Sequence, residues 1–107
     1  MNHHASDPPH PPIACTLGPA ARADREALIR TIFSEAQRVE LLADRLDARI
    51  QGTARGIRQV AELMVIEREC CRFLRFEVTA EPDLGPIDLA ITGPPGTGEV
   101  LRAWLPE

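Results

Sequence analysis

Ile66-Glu67-Arg68-Glu69-Cys70-Cys71-Arg72-Phe73-Leu74-Arg75-Phe76 is where the strongest helical pattern of the chain gives way to its cleanest strand pattern. On the upstream side, Ile57, Val60, Ala61, Leu63, Met64 and Cys71 fall on one arc at about 100° per residue. That spacing predicts a helix from about Ala54 to Cys70, opened by Gly52-Thr53 as break and cap. Gly56 lowers helix propensity there by roughly 1 kcal/mol against Ala, a cost that suits a place of close packing. On the downstream side, Leu74, Phe76, Val78 and Ala80 alternate with Arg75, Glu77 and Thr79, which predicts a strand over Phe73 to Ala80.

Working outward, Glu81-Pro82-Asp83-Leu84-Gly85-Pro86 is turn chemistry, and Ile87, Leu89 and Ile91 alternate again to complete an antiparallel hairpin. Before the central helix, Leu46, Ala48 and Ile50 alternate with Asp47 and Arg49. Val39, Leu42, Leu46 and Ile50 also fit a helix, but the tidy alternation followed by Gly52-Thr53 favours a second hairpin, with strands near Gln37 to Leu41 and Arg45 to Gln51 and a turn at Ala43-Asp44. Leu28, Ile29, Ile32, Phe33 and Ala36 share a helical face after Pro19, a residue suited to the first turn of a helix. Ile13-Ala14-Cys15-Thr16-Leu17 reads as a short strand ended by Gly18-Pro19, and Val100, Leu101, Trp104 and Leu105 as the stripe of a short closing helix. The expected order is β-α-β-β-α-β-β-α. It implies an α+β fold, loosely ferredoxin-like, with one small antiparallel-rich sheet carrying helices on one face. Residues 13–107 form a single domain behind a Pro/His-rich tail, 1–12, which cannot bury apolar surface and is expected to be disordered. An open strand edge or sheet face in such a fold favours a homodimer.

At 107 residues the chain has room for one hydrophobic core, and 44% apolar with 26% charged residues is the balance of a soluble globular protein. A net charge of -4 argues against nucleic-acid binding, which needs an electropositive face. All 12 basic residues are Arg, so no Lys amine is present for Schiff-base catalysis. No apolar run approaches the ~20 residues that span a bilayer, and no signal peptide opens the chain. Both point to the cytoplasm, with no membrane partner and with reduced thiols.

Gly93-Pro94-Pro95-Gly96-Thr97-Gly98 has the look of a phosphate loop, but Glu99 and Val100 stand where Lys and Ser or Thr are needed. A carboxylate there repels a triphosphate, so the stretch is read as a strand-to-helix turn and no nucleotide is expected. Met1-Asn2-His3 offers a nitrogen set for Cu(II), against the plainer reading of a solvated tail.

The cysteines are the serious candidates. Cys15, Cys70 and Cys71 are soft ligands suited to Zn, Cu(I), Hg or arsenite. Glu67 lies one turn before Cys71 on the apolar arc, where a carboxylate is costly unless paired, protonated or bound to a cation. It is a candidate fourth ligand or proton acceptor; equally it can form a buried salt bridge with Arg68, Arg38 or Arg45. Cys71 faces the core arc and Cys70 its edge, unless the helix ends there. The plain alternative is that all three thiols are packing, since free Cys is among the most buried residues and a helix C-terminus disfavours a thiolate.

Cys15-Thr16-Leu17, with Glu67-Arg68-Glu69-Cys70-Cys71-Arg72-Phe73-Leu74-Arg75-Phe76, resembles a group of small, mostly uncharacterised bacterial domains. These carry a C-T-L near the start and an E-C-C-P-F-L-x-F block in the second half. Some of that group are similar to segments attached to regulators of the mercury-resistance (MerR) type. The chain departs at Arg72, where the group has Pro, and at Ile13, where a further Cys often precedes the C-T-L. The resemblance implies association with metal resistance or stress regulation.

Three functions follow as expectations. The first is binding of a soft metal or metalloid ion through Cys15, Cys70 and Cys71 with Glu67 assisting, for sequestration, delivery or sensing. The second is a non-catalytic dimeric interaction module with buried structural cysteines. The third is a thiol enzyme using Cys71 with Glu67 as base, weakened because every His lies in the tail; on balance the chain is not expected to be an enzyme.

Overall fold

The structure, a computed structural model, describes residues 18–106. The 1–12 tail, the expected strand at 13–17 and Cys15 within it lie outside the described residues. The order is α1 (Pro19–Glu35), β1 (Arg38–Leu42), β2 (Arg45–Ile50), α2 (Ala54–Cys70), β3 (Arg75–Ala80), β4 (Ile87–Thr92) and α3 (Thr97–Arg102). The fold is α+β, with one four-stranded sheet in the order β1-β2-β4-β3 and every pair antiparallel.

Alternation decides the two faces of that sheet. Val39 pairs with Ala48, Ala48 with Leu89 and Leu89 with Val78, so one row of small and branched side chains runs across all four strands. Leu46, Ala48, Ile50, Ile87, Leu89 and Ile91 are all buried on that face and meet Ile29, Ile32 and Phe33 of α1 and Val60 and Leu63 of α2. The opposite face carries Arg38, Glu40, Arg45, Asp47, Arg49, Glu77 and Asp88 along a shallow groove open to solvent.

Close contacts fix where α2 sits. Thr53 caps it, its hydroxyl accepting from the Gly56 amide at 3.0 Å. Gly56 is buried, and a Cβ there would lie 2.3 Å from the Gln51 carbonyl oxygen, so the glycine is the means by which the helix starts tight against β2. At the other end Cys71 is the C-cap, with its amide donating to the Glu67 carbonyl at 2.7 Å. The chain then turns, Leu74 N–H reaching the Cys71 carbonyl, so β3 begins at Arg75 rather than at Phe73. The early exit lets Phe73 bury with Cys70 and Cys71 in a small apolar cluster of its own. The glycine-rich turn joins β4 to α3: Gly96 takes φ 103°, and the Gly98 amide donates to Asp44 in the β1–β2 turn at 2.7 Å.

Candidate functional site

The C-terminal turn of α2 points three chemically active side chains the same way. Glu67 and Cys70 are buried on the face that also carries Val60 and Leu63. Cys71, where the helix stops, turns inward as well, so both neighbouring cysteines are buried. Cys71 lies inside, as its place on the arc implied, and Cys70, expected at the edge unless the helix ends there, is the last residue of α2 and is buried three residues after Glu67 on the same face. The sulfurs lie 3.5 Å apart. Cys70 is disulfide-bonded and Cys71 keeps a free thiol, so the two neighbours are not bonded to each other. Disulfide bonding at Cys70 corrects the expectation of a fully reduced set. Ligand atoms of Glu67, Cys70 and Cys71 all fall within 4.8 Å of one another, a group able to hold a metal ion.

Glu67 is fully buried and its partner is none of the three arginines considered from the sequence. Arg25, on α1, grips both carboxylate oxygens, Nε to Oε2 at 2.5 Å and Nη2 to Oε1 at 3.0 Å. Such a two-pronged pair has the geometry in which guanidinium and carboxylate bind best. The same Nη2 donates to Cys71 Sγ at 3.7 Å, and the guanidinium carbon stands 5.4 Å from the centre of the Trp104 ring. Trp104 in turn leans on Phe33, ring centres 6.1 Å apart. Arg25 thus ties the ends of α1 and α2 and the residues after α3 together around one charge pair. A sequence clue to it existed: Arg25, Ile29, Ile32 and Phe33 stand at i, i+4, i+7 and i+8, one helical stripe. Arg25 is its charged member.

The electrostatics of the thiol follow from these neighbours. Burial, then the nearby Glu67 charge and its hydrogen bonding, push the Cys71 thiol up to about 12, and Arg25 only partly offsets them. For Arg25, burial works against the charged form, but Glu67 outweighs it and the guanidinium ends above its ordinary value. Without an ion the site therefore holds a protonated thiol beside a paired carboxylate. No buried side-chain nitrogen or oxygen among the described residues lacks a partner.

Cys15 and the amino-terminal copper set lie outside the described residues. Among the described residues no helix is long and apolar enough to cross a membrane. Searches of protein-family models, curated proteins and solved structures find no match to this chain.

Proposed function

We propose that the reduced protein binds a soft metal or metalloid ion through the sulfurs of Cys70 and Cys71, with Cys15 as a third thiolate. Glu67 is the neighbouring carboxylate, held in place by Arg25. The observation that carries this reading is the convergence of two sulfurs and a carboxylate in one buried cluster. With Cys15 included, three thiolates and a carboxylate offset Arg25 and a trivalent ion without residue, and leave a single negative charge around a divalent one. In that arrangement Arg25 orients a ligand from behind, as hydrogen-bonded partners of metal ligands commonly do.

The sulfur spacing narrows the choice of ion. At a metal–sulfur distance of about 2.3 Å, sulfurs 3.5 Å apart subtend about 100° at the ion. That angle suits tetrahedral Zn(II) or pyramidal trivalent arsenic, and it is far from the linear geometry of two-coordinate Hg(II) or Cu(I). Coordination at Cys70 requires its disulfide to be open, so binding belongs to a reducing compartment such as the cytoplasm. Sequestration, delivery or sensing of the ion, in keeping with the resemblance to domains linked to metal resistance, is the role we assign.

The deciding experiment titrates the reduced full chain with Zn(II), arsenite, Hg(II) and Cu(I), following thiolate-to-metal absorption or, for zinc, competition with a chromophoric chelator. Arsenite and zinc are expected to bind at one ion per chain, with affinity rising with pH as each thiol gives up its proton. Cys70→Ser and Cys71→Ser each abolish tight binding on this reading. Binding that survives both substitutions, or that never appears, sinks it.

The rival reading is that the cluster is structural, and one observation favours it: Glu67 already has a complete partner in Arg25. Retention of thermal stability, unmoved by ion or chelator, is its mark. A thiol enzyme gains nothing from the same geometry, because a thiol raised to about 12 is the reverse of an activated nucleophile.

A further inference from the structure

The helical layer covers the sheet unevenly. At one edge, α3 packs on β1 and β2, and Val39 and Leu41 of β1 are half-buried beneath it. At the other edge, β3 has the same apolar row turned to the same face, Phe76, Val78 and Ala80, opposite Ile91, Leu89 and Ile87. Here the cover stops: Val78 is 43% exposed, and Ala80 is exposed too. The flank of α2 turned away from α1 is apolar as well. Arg55 and Gln59 mark the side of α2 that meets α1, beside Ile32 and Glu35. Ile57, Ala61 and Met64 lie on the opposite flank at about 100° per residue, with Ile57 51% exposed. Leu84, in the turn that ends β3, is 92% exposed. Among the described residues no strand pairs with the outer edge of β3.

We infer that this edge is the dimer interface of the protein, covered by a second copy through antiparallel pairing of β3 with β3 about a twofold axis at Val78. The strand itself selects that register. Centred on Val78, pairing sets Val78 opposite Val78, Phe76 opposite Ala80, Glu77 opposite Thr79 and Arg75 opposite Glu81. It therefore uses nearly the whole strand and gives two opposite-charge pairs per dimer. Centred on Glu77, it would oppose two carboxylates; centred on Phe76, it would pair only residues 75 to 77 within the strand. Registers offset by one residue would turn the partner's apolar row to the wrong face. The chosen arrangement makes a continuous eight-stranded sheet. The doubled strand then shields the exposed Val78 and Ala80 of each copy from water.

The test is sedimentation equilibrium on the full reduced chain across a concentration series. A dimer is expected. Val78→Arg, at a position exposed in one copy, should give a folded monomer with an unchanged circular dichroism spectrum. Glu81→Arg should weaken the dimer about tenfold by placing two arginines opposite each other, and Arg75→Glu with Glu81→Arg should restore it. Val78→Cys should form an intermolecular disulfide under mild oxidation. A monomeric wild type, including one whose edge is covered by residues 1–17 of its own chain, overturns the inference. So does a dimer indifferent to Val78→Arg, and failure of the charge swap to rescue overturns the register. None of these outcomes depends on metal binding.

Discussion

Two sets of Arg–carboxylate pairs stand in this small protein, and they differ in everything except chemistry. Arg25 and Glu67 meet between α1 and α2 with side chains 10% and 0% exposed, whereas Arg49 and Asp88 meet on the open face of the sheet at 44% and 38%. Both are two-pronged. In the first, neither partner has water to fall back on, so each charge is tolerable only because the other is there. Removing one leaves a buried ion uncompensated, which typically costs about 3–5 kcal/mol. Glu67→Ala should therefore remove a large share of the whole stability, which for domains of this kind is only about 5–15 kcal/mol. Urea unfolding measures it. Arg25→Met combined with Glu67→Leu should recover most of the loss, because a buried pair exchanged for apolar groups of similar volume is often near neutral. If the double variant is as unstable as Glu67→Ala, the pair is contributing through its hydrogen bonds to Cys71 and its stacking on Trp104 rather than through mutual neutralisation.

The next effect in size concerns the thiol beside that pair. Cys71 is held well above its ordinary value, at about 12, by burial and by Glu67. The fold therefore prefers the protonated form, and the preference is fully present below the unfolded thiol's value of about 8.5. Above that, the unfolded chain loses its proton first, so stability should fall with rising pH across the window from about 8.5 to 12. Cys71→Ser should flatten the curve in that window, read by thermal unfolding at fixed ionic strength in reductant. Alkylation should show the same effect kinetically: the native thiol at pH 8 should react far more slowly than the same thiol in urea. An equal rate in the two states would mean that Cys71 is not shielded and that the buried seam between α1 and α2 opens readily. Bound arsenite or zinc should reverse the pH trend, since the ion replaces the proton.

How much of this was visible in the residues follows from the same contrast. Local periodicity found α2 from Ala54 to Cys70 and the β3–β4 hairpin, because each depends on neighbours within a few positions; around Ala43-Asp44 it fitted a helix as well, and only the alternation before Gly52 tipped it to the hairpin that forms. It also found that Glu67 points inward, an angular fact of one helix. It did not find Arg25, which stands 42 residues away, because which arginine reaches a buried carboxylate is decided by the docking of α1 on α2. The start of β3 was misplaced by two residues for a related reason: Phe73 and Leu74 fit the strand alternation, but tertiary burial with the cysteines holds Phe73 in the turn. The oxidised state of Cys70 and the pairing order of the strands were likewise beyond local pattern.

The smallest expected effect is the one that best separates the two kinds of pair. Arg49 spans from β2 to Asp88 on β4, and Asp88 is held below the usual carboxylate range, first by the Arg49 hydrogen bond. A lowered folded value means that any stability from Asp88 is present above its unfolded value, near 4, and is lost as pH falls through the folded one. Yet water solvates both groups almost as well when they are apart, and salt screens what attraction remains. Arg49→Ala and Asp88→Ala should each leave the urea midpoint nearly where it was, and raising the salt should shrink even that difference. A double-mutant cycle should give a coupling that fades with ionic strength, whereas the cycle on Arg25 and Glu67 should barely respond to salt. If the surface cycle proved as large and as salt-resistant as the buried one, the open face of the sheet would have to be covered in solution, and the outer row of charges would itself belong to an interface.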